Sequence, residues 1–216
     1  MTVVTATRLS KRSFEKESWL SRSLHGLFPI AVTCENKRGL PEIYNEALDE
    51  ARDEILLLAH DDIWIVSPER LEEHVHQALD RFDVVGLAGN TRRVPGQFCW
   101  ISADGKTNDN EYLSGAVAHP IEKTFGIQIY GPSPREVKLL DGLFFAVRSR
   151  VLREANVRFD MRFLWHFYDL DVARSCERAG LKMGTWPILV AHASSGAYGS
   201  DAWKAGREAY FEKWGS

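Results

Sequence analysis

The sequence predicts an α/β fold in which a mostly parallel central sheet is flanked by helices. Three observations carry that expectation. Ile55-Leu-Leu-Leu-Ala59 is an unbroken apolar run, the pattern of a strand buried on both faces, and Asp61 and Asp62 follow where it should emerge. Leu40, Ile43, Tyr44, Ala47, Leu48 and Ala51 recur at helical spacing just before it. A second helical pattern, Leu71, Val75, Ala78, Leu79 and Phe82, leads into another apolar stretch at 84–88. Strand, helix and strand in that order imply parallel pairing through a right-handed crossover.

Taken in order, residues 2–7 are rich in β-branched side chains and read as a first strand, with Arg8 just past its end; 14–24 reads as a helix. Residues 28–33 form a second strand candidate and 34–39 a polar turn. Pro41 stands in the first turn of the next helix, where a missing N–H is tolerated. Ser67-Pro68-Glu69 resembles another helix start. From 90 to 135 the rhythm breaks. Gly, Pro, Asn and Asp recur there and the apolar pieces 98–101 and 127–129 are short, so an irregular, functional segment is expected. Strands follow at 137–140 and 143–147, then helices at 149–155 and 168–179, the second closed by Gly180. The last strand candidate is 186–191, and a helix over about 202–214 follows a Ser/Gly-rich loop. No internal repeat is evident, and one domain spanning 1–216 is expected.

Composition narrows the function. With 27 Lys and Arg against 30 Asp and Glu, the chain lacks the basic excess of a general nucleic-acid binder, so no nucleic-acid partner is expected. Cys34, Cys99 and Cys176 are odd in number and contain no CxxC pair, which suggests neither a disulfide framework nor a cysteine zinc site. No window approaches the roughly 18 apolar residues of a bilayer span, and no export signal is visible. A cytoplasmic protein without an integral membrane segment is the expectation; the oligomeric state is left open.

Asp61-Asp62, Asp169 with Asp171, and His192 are the groups able to carry chemistry. Each has a plain structural alternative. An Asp after a strand can cap a turn, acidic residues in a first helical turn complement the helix dipole, and a lone His after a strand is often structural. Against these stand the geometry of α/β sheets, whose strand exits line the ligand crevice, and the suitability of carboxylates, with an imidazole, for Mg²⁺ or Mn²⁺ carrying a phosphate. The bulky run Trp165-His166-Phe167-Tyr168 before Asp169 suggests a partly enclosed floor on which a carboxylate could act as a base. Asp141-Gly142 reads as a tight turn that lets backbone approach closely.

Taken together and in order, Gly39-Leu40-Pro41-Glu42-Ile43-Tyr44-Asn45-Glu46-Ala47, His60-Asp61-Asp62, Leu140-Asp141-Gly142-Leu143-Phe144, Phe159-Asp160, Phe167-Tyr168-Asp169-Leu170-Asp171 and His192-Ala193-Ser194-Ser195-Gly196 resemble family 2 glycosyltransferases of the GT-A fold, and more narrowly the small StrF-type glycosyltransferase-like group. The resemblance runs from Thr2 to Trp214. It implies an inverting, metal-dependent glycosyltransferase that moves a sugar from a nucleotide-diphosphate-sugar donor to an acceptor hydroxyl on a glycan, a lipid-linked substrate or a small molecule. Asp169 matches the base, with Tyr168 and Asp171 in support. Asp62, with Asp61 and His192, would hold the divalent cation, Mn²⁺ or Mg²⁺. Thr5, Ala6, Arg8, Glu35, Asn36 and His60 would surround the nucleotide, and Asp141, Gly142, Trp165 and His166 the sugar and acceptor. Two positions depart from the family pattern: His60 stands where many relatives have the first Asp of Asp-x-Asp, and Tyr168 stands where Glu is usual.

Other chemistries fit less well. No glycine-rich phosphate loop opens the chain, as nucleotidyl transfer would need, and no GxGxxG follows a strand. A non-catalytic sugar-nucleotide or glycan-binding protein of the same fold is the alternative from a different class.

Overall fold

The computed structural model describes residues 1–51, 54–122, 124–193 and 198–215. Strand β1 (Thr2–Ala6) begins the chain, and two short helices, α1 (Lys11–Glu17) and α2 (Trp19–Leu24), take the place of the single predicted helix. Ser18 causes the break. Its backbone is extended (φ −60°, ψ 130°), and its hydroxyl caps the Ser21 N–H that opens α2. Strand β2 (Ile30–Thr33) and helix α3 (Leu40–Glu50) follow, the latter burying Leu40, Pro41, Ile43, Tyr44 and Leu48. All five residues of β3 (Ile55–Ala59) are buried, as its apolar run requires.

Beyond β3 lie β4 (Ile63–Ile65), a 3-10 turn (Pro68–Arg70), α4 (Leu71–Leu79), β5 (Val84–Gly86) and β6 (Ala88–Asn90). A long hairpin, β7 (Leu113–Ile121) and β8 (Thr124–Gly131), precedes β9 (Arg135–Val137), β10 (Leu139–Leu140) and β11 (Phe144–Arg148). The chain continues through α5 (Ser149–Glu154), α6 (Tyr168–Arg178), β12 (Met183–Thr185), β13 (Val190–His192) and α7 (Asp201–Trp214).

Two sheets result. The larger has the order β2-β1-β3-β11-β5-β12-β9, and only β11 and β9 run against the rest, so the predicted mostly parallel sheet is present. The smaller has the order β10-β6-β7-β13-β4, with β8 on β7. Helix α3 packs on β1 and β3, and α4 on β5 and β11. Among the described residues no helix is long and apolar enough to cross a membrane.

Four expectations need correction. The stretches 84–88 and 137–140 are each two strands, because the chain leaves the large sheet at Leu87 and again at Lys138 and enters the small one. The stretch 186–191 is strand only from Val190; Pro187, which has no N–H for a ladder, lies in the link between β12 and β13. The segment 90–135 is irregular only in its first half. Its second half is the β7–β8 hairpin, whose outer strand exposes Phe125, Ile127 and Ile129 and so shows no core-facing alternation.

Candidate active site

The site forms where β3 ends and β4 begins. His60, Asp61 and Asp62 make that link, and backbone bonds pin each of them. His60 N–H donates to Leu143 O (3.1 Å), Asp61 O accepts from Ser18 Oγ (2.7 Å) and Leu20 N–H (3.2 Å), and Asp62 O accepts from Ala193 N–H (3.0 Å). Antiparallel pairing of β13 with β4 sets His192 opposite Ile63, which brings its ring to Asp62. His192 Nε2 lies 3.3 Å and His60 Nδ1 3.9 Å from Asp62 Oδ1, and one ligand atom from each of the three falls within 4.8 Å of the others. Burial disfavours the charged form of both rings. In His60 it prevails over the Asp62 charge and the pKa falls; in His192 the Asp62 hydrogen bond and charge together outweigh it and the pKa rises.

Asp61 faces elsewhere. It is outside this cluster and near Thr7, just past the end of β1; burial raises its pKa and the Thr7 hydroxyl opposes the rise. The geometry separates the two neighbours. His60, expected at the nucleotide, stands with Asp62 and His192, while Asp61, expected at the metal, stands beside Thr7. Successive residues at a strand exit point to opposite sides, and sequence alone does not say which side is which.

The second half of the site is the start of α6. Phe167, its N-cap, is held in the left-handed region (φ 67°), an uncommon conformation for an aromatic residue and a mark of local strain. Packing of its ring against Trp203 and Tyr210 keeps it there. The next two side chains close on Gly142. A Cβ at Gly142 would meet Tyr168 Oη at 2.5 Å and Asp169 Cβ at 2.9 Å, so only glycine admits this approach. Burial, and after it the Asp141 charge, push the Asp169 carboxyl up to about 7, against hydrogen bonds from the Leu170, Asp169 and Gly142 amides. Asp141 itself closes the turn, accepting from Leu143 N–H at 2.9 Å.

Tyr168 joins the halves. Its hydroxyl donates to Gly142 O (2.9 Å) and lies 2.7 Å from His60 Nε2. Asp171 points the other way. It is 0% exposed and accepts from Trp214 Nε1 and Lys213 Nζ, each at 2.7 Å, so it fastens α7 to α6. Lys213 is shared with Asp160 at 2.8 Å.

Of the residues expected at the nucleotide, Thr5 and Ala6 are buried inside β1, whereas Arg8, Glu35 and Asn36 are gathered with Lys37 around a depression of about 430 Å³. The Asn36 side chain bonds Arg38 N–H (3.0 Å) and O (2.8 Å), which shapes this loop. Trp165 and His166 lie on the exposed approach to α6, and burial lowers the His166 pKa. Ser194, Ser195 and Gly196 lie outside the described residues. Sequence reasoning missed Thr7, Lys37, His119, whose ring centroid is 6.1 Å from that of His192, and Tyr198, which contacts Cys99 Sγ at 3.7 Å. Thr7 and Lys37 adjoin predicted positions and were within reach; His119 carries no local signal. A second cleft of about 440 Å³, bounded by Ala155–Asp160, Ser175, Arg178 and Ala179, takes none of the residues expected at the site.

Residues 30–210 match a family described as a glycosyltransferase-like family. Among solved structures, A197 from STIV has a TM-score of 0.51 at 9% identity, over 86% of this chain and 81% of that one. GalNAc-T7, solved with UDP, GalNAc and Mn²⁺, also has a TM-score of 0.51, at 13% identity over 99% of this chain and 47% of its own. TarS 1–349 of S. aureus has a TM-score of 0.49 at 12% identity, over 89% and 60%. This chain thus spans about four fifths of A197 and about half of GalNAc-T7. At such identities the likeness is one of fold. No curated protein sequence gives a significant match.

Proposed function

Because the chain belongs to the glycosyltransferase-like family that matches residues 30–210 and has the GT-A fold, we propose that it transfers a sugar, with inversion, from a nucleotide-diphosphate-sugar donor to an acceptor hydroxyl. One observation carries the reading. A cluster of two imidazoles and a carboxylate is linked through Tyr168 and Gly142 to a carboxyl group whose pKa is pushed up to about 7. The ordered motifs extend it toward the StrF-type group.

The residues present fit a divalent cation. His60, Asp62 and His192 offer two nitrogens and an oxygen from within 4.8 Å of one another, a donor set that suits Mn²⁺ better than Mg²⁺, which prefers oxygen throughout. When bound, such a cation offsets the negative charge of the departing nucleoside diphosphate. The protein supplies the rest. Arg8, Glu35, Asn36 and Lys37, with Asp61 and Thr7 beside them, receive the nucleoside. Asp141 and Gly142 border the sugar, and Trp165, His166 and the segment 90–135 supply the acceptor side.

Asp169 is the base. A carboxylate with a pKa near the working pH is half-charged there and takes up a proton readily as the acceptor oxygen attacks. A single attack from the face opposite the leaving group inverts the anomeric carbon. Asp171 serves by holding α7 against α6.

The test is calorimetric binding of UDP, GDP and dTDP with and without Mn²⁺, in the native chain and in Asp62→Ala, followed by transfer assays with sugars of the nucleotide that binds. Mn²⁺-dependent binding lost in Asp62→Ala is expected. Absence of nucleotide binding under every condition would refute the transferase reading and favour a glycan-binding role.

A further inference from the structure

The Tyr168 hydroxyl has one proton and two neighbours. Gly142 O, 2.9 Å away and buried, can only accept, so it takes that proton. His60 Nε2, at 2.7 Å, must then be the donor toward the phenol oxygen. This fixes the neutral ring with hydrogen on Nε2 and a lone pair on Nδ1. The reverse arrangement, with Tyr168 donating to Nε2, would strip the buried Gly142 carbonyl of this donor. It would also place an Nδ1–H 3.9 Å from Asp62 Oδ1, beyond hydrogen-bond reach.

We propose that Tyr168 is a positioning residue that holds His60 in its Nε2–H form and turns Nδ1 toward the space shared with Asp62 and His192, making His60 a third protein ligand for a divalent cation. The inference rests on the cation-binding reading above. Distances support it: Nδ1 and Oδ1 are too far apart to share a proton and close enough to share a cation. A hydrogen-bonded partner on the far nitrogen is how a ligating imidazole is commonly oriented, and a phenol fills that place here. Positions 60 and 168 are also the two at which the chain departs from the pattern it resembles, and they touch each other. Tyr168 precedes Asp169 on α6, so the same residue ties the helix bearing the base to the cation cluster.

Two measurements on the full chain decide it. In the first, Mn²⁺ alone is titrated into the metal-free protein and followed by electron paramagnetic resonance. Tyr168→Phe should weaken binding about 10–100-fold, and in a His60→Ala background the same change should add less than about twofold. Equal affinity of native and Tyr168→Phe proteins, or full additivity of the two losses, overturns the proposal.

The second reads the histidine rings of the metal-free protein by nitrogen-15 NMR, at a pH where they are neutral. His60 should be Nε2–H in the native chain and a mixture of both forms in Tyr168→Phe; Nδ1–H in the native chain overturns the proposal. No Mn²⁺ binding by the native chain, with Nε2–H still observed, overturns the ligand role and locates the error in the cation reading rather than in the hydrogen bond.

Discussion

Replacing Gly142 by alanine adds one methyl group at the point where the two halves of the site touch. No positive φ is involved, so the effect is one of space alone. The new Cβ would lie 2.5 Å from Tyr168 Oη, 2.8 Å from Tyr168 Cζ and 2.9 Å from Asp169 Cβ, whereas ordinary contact begins at 3.4 Å. Relief therefore requires the Tyr168 ring, α6 or the Asp141 turn to give by about 0.5–0.9 Å; the phenol is held by Gly142 O and His60, and Asp169 Cβ is fixed to the helix backbone. Overpacking of this kind costs about 1–3 kcal/mol, and a displacement approaching 1 Å at a reacting group costs about 100-fold in rate. For a chain of this size about 2–4 °C of Tm is lost per kcal/mol. The assay is kcat at saturating donor beside thermal melting. Expected is a fall in kcat far larger than the loss of folded protein at the assay temperature, together with weaker Mn²⁺ binding because Tyr168 moves with Asp169. Native kcat and native Tm in Gly142→Ala would refute the reasoning.

Further outcomes can be checked in the same system. Asp169→Asn should keep nucleotide binding while lowering kcat by about 100-fold or more, as measured by transfer and calorimetry. Because Asp169 must be ionised to act as base and its pKa is about 7, native kcat/KM should rise with pH through about 7 and level off above it. The same raised pKa means the folded state binds the proton more tightly than the unfolded one, so stability from this group is present at low pH and lost as pH rises toward 7. Asp169→Asn should therefore raise Tm relative to native at pH 8 and gain less at pH 5. His192→Ala should abolish Mn²⁺-dependent nucleotide binding, as Asp62→Ala does, without lowering Tm of the metal-free protein by more than a few degrees. Asp171→Ala, which removes a buried carboxylate that half-buried Trp214 Nε1 and Lys213 both donate to, should cost about 3 kcal/mol in denaturant unfolding and leave nucleotide affinity unchanged.

Much of the frame was legible because burial writes a pattern. The five apolar residues of β3 and the periodic face of α3 stand out at once, and Gly180 with φ 76° closes α6 as a terminal glycine should. What escaped were features that depend on distant chain. A single residue, Leu87 or Lys138, suffices to pass between sheets, and neither is a turn-forming residue. The β7–β8 hairpin keeps one strand outside the core, so alternation fails as a guide. At the site, motif order made Asp62, Asp169 and His192 candidates, but the sides taken by His60 and Asp61 follow from Thr7 and Tyr168, which lie far off in sequence. The left-handed Phe167 has no sequence signature, since glycine or asparagine is the usual sign of that conformation.

The passage of the chain between sheets also bears on mechanics. β3 leads to β4 in three residues, and β5 to β6 and β9 to β10 in one each. A residue spans at most about 3.6 Å, so these stitches leave no slack for one sheet to slide over the other. His60 and Asp62 sit on one stitch and His192 on a strand of the smaller sheet, so the backbone that carries the three belongs to the seam between the two sheets.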